Sequence, residues 1–441
     1  MKNHSIFDLA SESPRSSLSP AGVSTERGVS FAPLAGVILY RLFLDYIYQA
    51  SVFPLNAYMG FYNVSDTSLY ICSWGVLLVS LPFFLFCSAR KNIGNVILTI
   101  IYLLNFVPAT SCMHFMPPSA TYLVQFCTYW FLLFVFAVII PHFNRIWNFS
   151  SATIVYAASF IFLLTILGVS WKYTGFHIIL DLDSVYAFRL EAREYSMSVI
   201  ERYLISAARC CLPLLMVYAI ARKSKLYAGI IGFTLLLLFS FDGSKTVIFT
   251  TVLALLCYYF FTWQKKRYIV WGFAGLSFLA AAEQILRDYS YISDYVIRRI
   301  MFLPHLLASF YFDFFSKNEV LFYRDGFLGN IFPSPYNIPS PHLIGKIYLG
   351  APDCAANVGV FAESYANLGT LGCLISPLLV ILLLRSFEYC SSGLDFRLLI
   401  VPAISIAIGL CESYLSVLLL THGFLSLCII CLLLPREMKD A

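Results

Sequence analysis

The sequence predicts an all-α polytopic membrane protein with about twelve transmembrane helices, both termini cytoplasmic and two long loops on the outer, periplasmic side. Three observations predict it. Of the 441 residues, 60% are hydrophobic and 12% charged, with a mean hydropathy of +0.79, whereas a soluble domain carries about 25% charged residues. The apolar residues fall in long uninterrupted runs, and a hydrocarbon core of roughly 30 Å needs about 20 of them per helix. Basic residues gather in every second connection, as the positive-inside rule requires.

Taken in order, residues 1–30 hold eight serines, two prolines and little that is apolar. Without the hydrophobic region of a signal peptide they read as a disordered cytoplasmic tail. The first apolar run, 31–55, acts as an uncleaved insertion signal and leads to an outer turn, 56–66, free of lysine and arginine. Run 67–88 returns the chain to Arg90-Lys91 inside, and 93–111 crosses again to a second outer turn, 112–119, also without a basic residue. Run 120–141 ends at Arg145, and 151–170 opens on the first long outer loop, 171–199. Run 200–221 ends at Arg222-Lys223-Lys225, the short 226–241 leads to an outer turn with Lys245, and 245–263 ends at Lys265-Lys266-Arg267. Run 268–286 leads to the second long outer loop, 287–356, after which 357–384 descends to Arg385 and Arg397. Runs 397–413 and 415–434 complete the bundle, which spans 31–435, and Arg436 and Lys439 lie in a cytoplasmic tail, 436–441.

Nearly all the extra chain is therefore outside, where the functional site is expected. In the larger loop, Ser293 is expected to cap a short interfacial helix with Tyr295, Val296, Ile300 and Leu303 on one stripe and Arg298 and Arg299 beside it. The prolines at 333, 335, 339 and 341 make Phe332–His342 an irregular, rigid strap.

The outer loops are rich in arginine: Arg189 and Arg193 in the first, and Arg287, Arg298, Arg299 and Arg324 in the second. Guanidinium forks match phosphate or carboxylate oxygens bidentately, which suits a phosphate or an acidic sugar. The plainer alternative is a set of ion pairs with Glu191, Glu194, Asp288, Asp294 and Asp325. Arg41 and Asp45, spaced i to i+4 inside the first run, read as a self-neutralising pair or an intramembrane functional site, and Arg209 has no partner nearby in sequence. Glu283, Glu363 and Glu412 lie near outer helix ends, each fit to act as a base or to hold an arginine. His342, in the strap near Lys346, is the candidate catalytic histidine, and Glu363 is the next candidate base. Phe322, Tyr323 and Tyr336 are candidates for stacking on sugars.

Several function classes are excluded or set aside. No basic run with interleaved aromatics points to nucleic acid, and no histidine or cysteine spacing points to a metal. Phe241-Asp-Gly-Ser-Lys-Thr246 lacks the order of a phosphate-binding loop and faces outward, where there is no ATP. Most of the thirteen cysteines sit in apolar runs as small packing residues. Cys112 and Cys354 are the two in outer loops, and a disulfide between them is one option.

A bundle of about twelve helices with two arginine-bearing outer loops, the larger before the last three helices, resembles the Wzy-type O-antigen polymerases, or oligosaccharide repeat-unit polymerases. Local stretches carry the likeness too: Arg189-Leu-Glu-Ala-Arg-Glu194, and Asn357-Val-Gly-Val-Phe-Ala-Glu-Ser-Tyr-Ala-Asn-Leu-Gly-Thr-Leu-Gly372. The family's loop signature, an arginine and a glycine separated by ten residues, is met by none of the loop arginines. The resemblance implies a GT-C-like bundle in the bacterial inner membrane and a hexosyltransferase-type glycosyltransferase. Such an enzyme moves the growing glycan from undecaprenyl diphosphate to a new lipid-linked repeat unit, inverting the anomeric centre and needing no cofactor or metal. It further implies undecaprenyl-diphosphate-linked oligosaccharides and membrane lipid as partners, with a chain-length regulator and a flippase of the same pathway. Chemistry outside the cell supports this expectation: with no nucleotide sugar there, the donor must carry its own leaving group, and the enzyme must place cations by a diphosphate and a base by the acceptor. An O-antigen ligase and a polysaccharide flippase or transporter are the alternatives. A transporter is expected to carry charges midway along several helices and to show internal repeats.

Overall fold

The computed structural model describes residues 32–64, 66–143, 145–146, 149–176, 195–243, 245–326, 328–329 and 331–436. The expected tail 1–30, Lys439, and the loop stretch carrying Arg189 and Arg193 lie outside these residues. Among the described residues the protein is entirely helical. Eight helices are long and apolar enough to cross a membrane, with two shorter apolar helices over Lys225–Phe241 and Thr246–Phe260.

Several helices begin where the sequence supplies a side-chain cap. Helix α1 spans Ala32–Ile47 and continues through α2, Phe53–Asn56; α3 spans Thr67–Ala89, and α4 and α5 span Ile93–Ile101 and Val107–Phe115. Then come α6, Ala120–Ile139; α7, Ala152–Thr174; and α8, Val199–Ala221. The side chains of Asp66, Asn92, Ser119 and Ser151 accept N–H bonds from the first turns of α3, α4, α6 and α7. Ser198 and Glu201 close a reciprocal capping box on α8.

Three helices widen into π-helical turns: Tyr48–Val52 between α1 and α2, Tyr102–Phe106 between α4 and α5, and Ser293–Phe302 ahead of α12, Leu303–Phe315. Pro54, Pro108 and Pro304 stand two residues beyond the three widened stretches. A proline within a helix lacks the N–H for its own bond and its ring presses on the carbonyl four residues back. The extra residue of a π turn relieves both problems without breaking the helix. The third widened stretch packs against the other two, and rings close the seam: Tyr48 stacks on Phe115 at 4.8 Å and meets Phe302 edge-on at 5.2 Å.

The short helix expected around Arg298 and Arg299 is therefore the start of a longer one that runs on into α12. Ile297, Met301 and Phe302 are fully buried against the bundle. Tyr40 of α1 reaches across to donate to the carbonyl of Leu103 at 3.0 Å, with Met301 Sδ at 3.1 Å.

The remaining helices are α9, Lys225–Asp242; α10, Lys245–Phe260; α11, Ile269–Arg287; α13, Ser340–Leu349; α14, Val360–Leu368; α15, Thr370–Ser391; α16, Phe396–Glu412; α17, Leu415–Leu419; and α18, Phe424–Leu433. Two expectations are corrected here. The run 357–384 is two helices, because Gly369 adopts φ +60° between α14 and α15 and turns the chain back on itself. Gly372 then lets the two helices touch, since a Cβ there collides with the Ser364 carbonyl. The strap is irregular as far as Pro339, but His342 sits in the first turn of α13, which starts at Ser340-Pro341.

The helix Ile93–Phe115 is the hub, with 94% of its apolar window buried. Charged residues tie others to it at both ends. Arg41, fully buried, pairs with Asp45 at 2.7 Å and donates to Thr110 at 2.7 Å and Ser73 at 3.2 Å, while Ser111 donates to Asp45 at 2.7 Å. The pair is thus a cross-brace between α1, α3 and α5, and removing either partner of such a pair costs about 3–5 kcal/mol. At the opposite end, Arg385 of α15 grips Glu388 at 3.0 Å and the Ala137 carbonyl at 2.9 Å. Glu388 in turn accepts the Gly94 N–H at the start of α4 at 3.1 Å. Cys112 and Cys354 are both free thiols.

Candidate functional site

A cavity of about 350 Å³ opens between α8, α10, α16 and the α17–α18 joint. It runs from the middle of α8 and α16 to the end of the bundle opposite the basic turns at Arg222, Lys265 and Arg397. One guanidinium and one carboxylate line it, Arg209 and Glu412, with hydroxyls from Ser206, Thr250 and Ser405. The His422 carbonyl accepts from Cys210 at 2.6 Å, which fixes the joint beside α8. Gly423, at φ +69°, allows that approach, because a Cβ there meets Cys210 at 2.9 Å. Isolated charges in an apolar setting are costly, so an Arg and a Glu kept at one cavity mark it as a candidate site.

The loop arginines divide into two groups. Arg287 pairs with Glu283 at 3.5 Å, Arg298 with Asp294 at 2.7 Å, and Arg324 with Glu319 at 2.5 Å. Arg299, the neighbour of Arg298, is exposed, and its charge acts on Glu412. Among the described loop arginines it is the one whose charge reaches Glu412 at the cavity.

Glu363 is 2% exposed and accepts the Leu415 N–H at 2.5 Å. It borders a polar cluster in which Tyr414 hydrogen-bonds Ser340 at 2.8 Å and Tyr311 at 3.1 Å, and Asp325 accepts from the Ser340 N–H at 2.5 Å. His342 lies at the rim of that cluster's helix, its Nδ1 3.2 Å from the Pro352 carbonyl. Glu363 and His342 are therefore on the α13–α14 side of the α16–α17 bend, while Glu412 faces the cavity.

Phe322 and Tyr323 both take positive φ, +50° and +59°, a conformation costing of order 1–3 kcal/mol per residue. Asn367 holds them there: its carbonyl accepts the Phe322 N–H at 3.0 Å and its side chain the Tyr323 N–H at 2.7 Å. Phe322 is left half exposed beneath the Arg324 guanidinium, 5.6 Å from its ring. Tyr336 packs on Phe314 and Phe315 and donates to the Glu319 carbonyl at 2.6 Å. Burial, with the Glu319 charge added, pushes its hydroxyl above the ordinary tyrosine range, so it remains a neutral donor.

Comparison with protein-family models, with curated proteins and with solved structures finds no match.

The chemistry of the site is thus read from its groups alone. A guanidinium and a carboxylate line a cavity walled by apolar helices, with the Arg299 charge also acting on that carboxylate, an arrangement able to hold an anionic headgroup while the carboxylate takes a proton. Among the described residues no group of three or more His, Cys, Asp or Glu is placed to hold a metal ion. Sequence reading singled out Arg209 and Glu412 separately but did not join them. They are distant in the chain, and the signal that could have linked them is the recurrence of Ser and Thr at one end of α8, α10 and α16.

Proposed function

We propose that the protein is a membrane glycosyltransferase that polymerises lipid-linked oligosaccharide repeat units on the outer face of a bacterial inner membrane. The observation that carries this reading is the cavity that combines Arg209, Glu412 and several hydroxyls, with Arg299 close by, at the end of the bundle away from the basic turns.

In this reading the polyprenyl chain of the donor stays among the apolar helices and its diphosphate lies between Arg209 and Arg299. The acceptor hydroxyl oxygen attacks the anomeric carbon of the growing glycan. The bond from that carbon to the diphosphate breaks, its electron pair leaves on the diphosphate oxygen, and the hydroxyl proton passes to Glu412. One displacement inverts the anomeric centre. The guanidiniums neutralise charge as it develops on the leaving group, where preorganised donors have most effect. Glu363 positions the bend that carries Glu412, and the exposed Phe322 ring offers a sugar-stacking surface. Arg189 and Arg193 remain candidates for the same anion.

Deleting the gene and separating surface polysaccharide by gel tests the reading. Core carrying a single repeat unit is the expected result. Lipid-linked polymer would indicate a ligase, and loss of both products a flippase.

A further inference from the structure

Helix α14 begins without a cap. Its N-cap residue is Gly359, no side chain accepts from its first turn, and the N–H groups of Val360, Phe361 and Ala362 meet no backbone carbonyl among the described residues. All three residues are buried. A buried helix terminus with orphan donors requires partners from elsewhere.

A small cavity of about 30 Å³ lies at that terminus, lined by Gly359, Phe361 and Ala362 and, from other helices, by Asn105, Trp130 and His305. His305 is 4% exposed and Trp130 5% exposed. Neither the His305 Nε2 nor the Trp130 Nε1 has a hydrogen-bond partner. The other imidazole nitrogen, Nδ1, already meets the Tyr122 hydroxyl at 3.3 Å. Two residues with unpartnered polar side-chain atoms and one uncapped helix end therefore line the same cavity. Gly359 cannot move away to relieve this, because a Cβ at that position already collides with the carbonyls of Cys411 and Leu410.

We propose that this cavity is a buried hydration site, holding one or two ordered water molecules that bridge the α14 N-terminus, His305 and Trp130. A water molecule needs about 10–15 Å³ of such space, so the cavity has room for one or two. Water also matches the chemistry. It accepts from the helix N–H groups and the indole, and it either donates to or accepts from the imidazole nitrogen. A small anion is the competing occupant, attracted by the helix terminus. No Lys or Arg lines the cavity, and an anion without a counter-charge is far more costly to bury than a neutral molecule. The Leu410 and Cys411 carbonyls beside Gly359 would repel an anion but can receive a hydrogen from water. The water thus serves as the missing cap and joins α6, α12 and α14 through one shared hydrogen-bonding centre.

An experimental map of the full chain in lipid nanodiscs, at a resolution that shows ordered water, tests this. Density within hydrogen-bond reach of His305 Nε2 and of the Phe361 or Ala362 N–H is the expected result. An empty cavity overturns the proposal. Crystals grown in sodium bromide provide the second arm: an anomalous peak at the site overturns water in favour of an anion, and its absence at an occupied site supports water.

Discussion

Glu363 accepts the backbone N–H of Leu415 at 2.5 Å, and through that bond α14 holds the bend between α16 and α17. Glu412 stands just before the bend, so the two acids are mechanically linked while facing different sides. Glu363→Gln keeps an acceptor for Leu415 and should leave membrane abundance near normal. Glu363→Leu strands a buried N–H, a loss of about 1–3 kcal/mol. Thermal melts of the two purified variants should differ accordingly. Equal melting temperatures would remove the bracing role.

Glu412→Gln should slow glycan transfer by roughly 10²- to 10⁴-fold, the usual contribution of a positioned base, with lipid-linked donor still bound. A reconstituted assay with purified lipid-linked repeat units separates transfer from binding. A normal transfer rate in this variant would place the base elsewhere, with His342 the next residue to replace.

Arg299 and Arg298 are adjacent but not equivalent. Arg298→Ala breaks an ion pair with Asp294 that is partly exposed, worth under about 1 kcal/mol, and should leave polymer on the gel. Arg299→Ala should weaken donor use strongly, and Arg299→Lys should restore it in part, because an ammonium cannot bind two oxygens in a fork. Reversal of that order would move the anion site to the Asp294 face.

Much of this architecture is legible in the amino-acid sequence. The apolar runs mark most of the helices but do not foretell the wide turns ahead of Pro54, Pro108 and Pro304: the first two lie inside expected runs and the third inside the expected loop. The pairing of Arg41 with Asp45 follows from i to i+4 spacing alone. What hydropathy could not show is the division at Gly369, because both sides of it are equally apolar and the turn depends on a backbone angle. Nor could it show which face of the helix after Ser293 packs inward: the expected stripe includes Tyr295, which is exposed, whereas Ile297, Met301 and Phe302 are the buried residues. The cavity was least legible, since its charged residues come from helices remote in sequence.

Glycine contacts give a sharp pair of expectations. At Gly372 a Cβ meets the Ser364 carbonyl, whereas at Gly75, on α3, nothing lies within 4 Å. Gly372→Ala should therefore force α14 and α15 apart and lower the yield of folded protein. Gly75→Ala should be silent or slightly stabilising, because alanine is the better helix former by about 1 kcal/mol. Size-exclusion profiles of detergent-solubilised protein compare them directly, and normal folding of Gly372→Ala would contradict the close contact.

The turn before α16 should show a pH signature. Asp395 caps the helix by accepting the Arg397 N–H at 2.9 Å and pairs with its guanidinium at 2.6 Å. Partial burial raises the Asp395 carboxyl, but the Arg397 hydrogen bonds and charge outweigh it and hold the group below the ordinary aspartate range. A group lowered in the folded state stabilises above its unfolded pKa and loses that contribution as pH falls through its folded value. Asp395→Ala should therefore melt lower than the native protein at neutral pH, by the equivalent of about 1 kcal/mol for a lost cap. The gap should close in acid. A gap that widens as pH falls would contradict the assignment.

Orientation can be tested with reporter fusions at Lys266 and Tyr336. The positive-inside rule predicts Lys266 in the cytoplasm and Tyr336 outside. Activity of a periplasm-only reporter at Lys266 would invert the arrangement.

The three proline-fixed wide turns bear on how such a bundle moves. An α turn and a π turn differ by one residue, so interconverting them swings everything beyond by about 100°. Helices free to make that change can act as ratchets. Here each wide turn is followed by a residue that has no N–H to offer a tighter ladder, and the third is packed against the other two. The seam around Tyr48, Tyr102 and Phe302 is thus a keystone, fixed in one setting. Any opening of the bundle must therefore come from elsewhere, as at the Gly369 turn between α14 and α15.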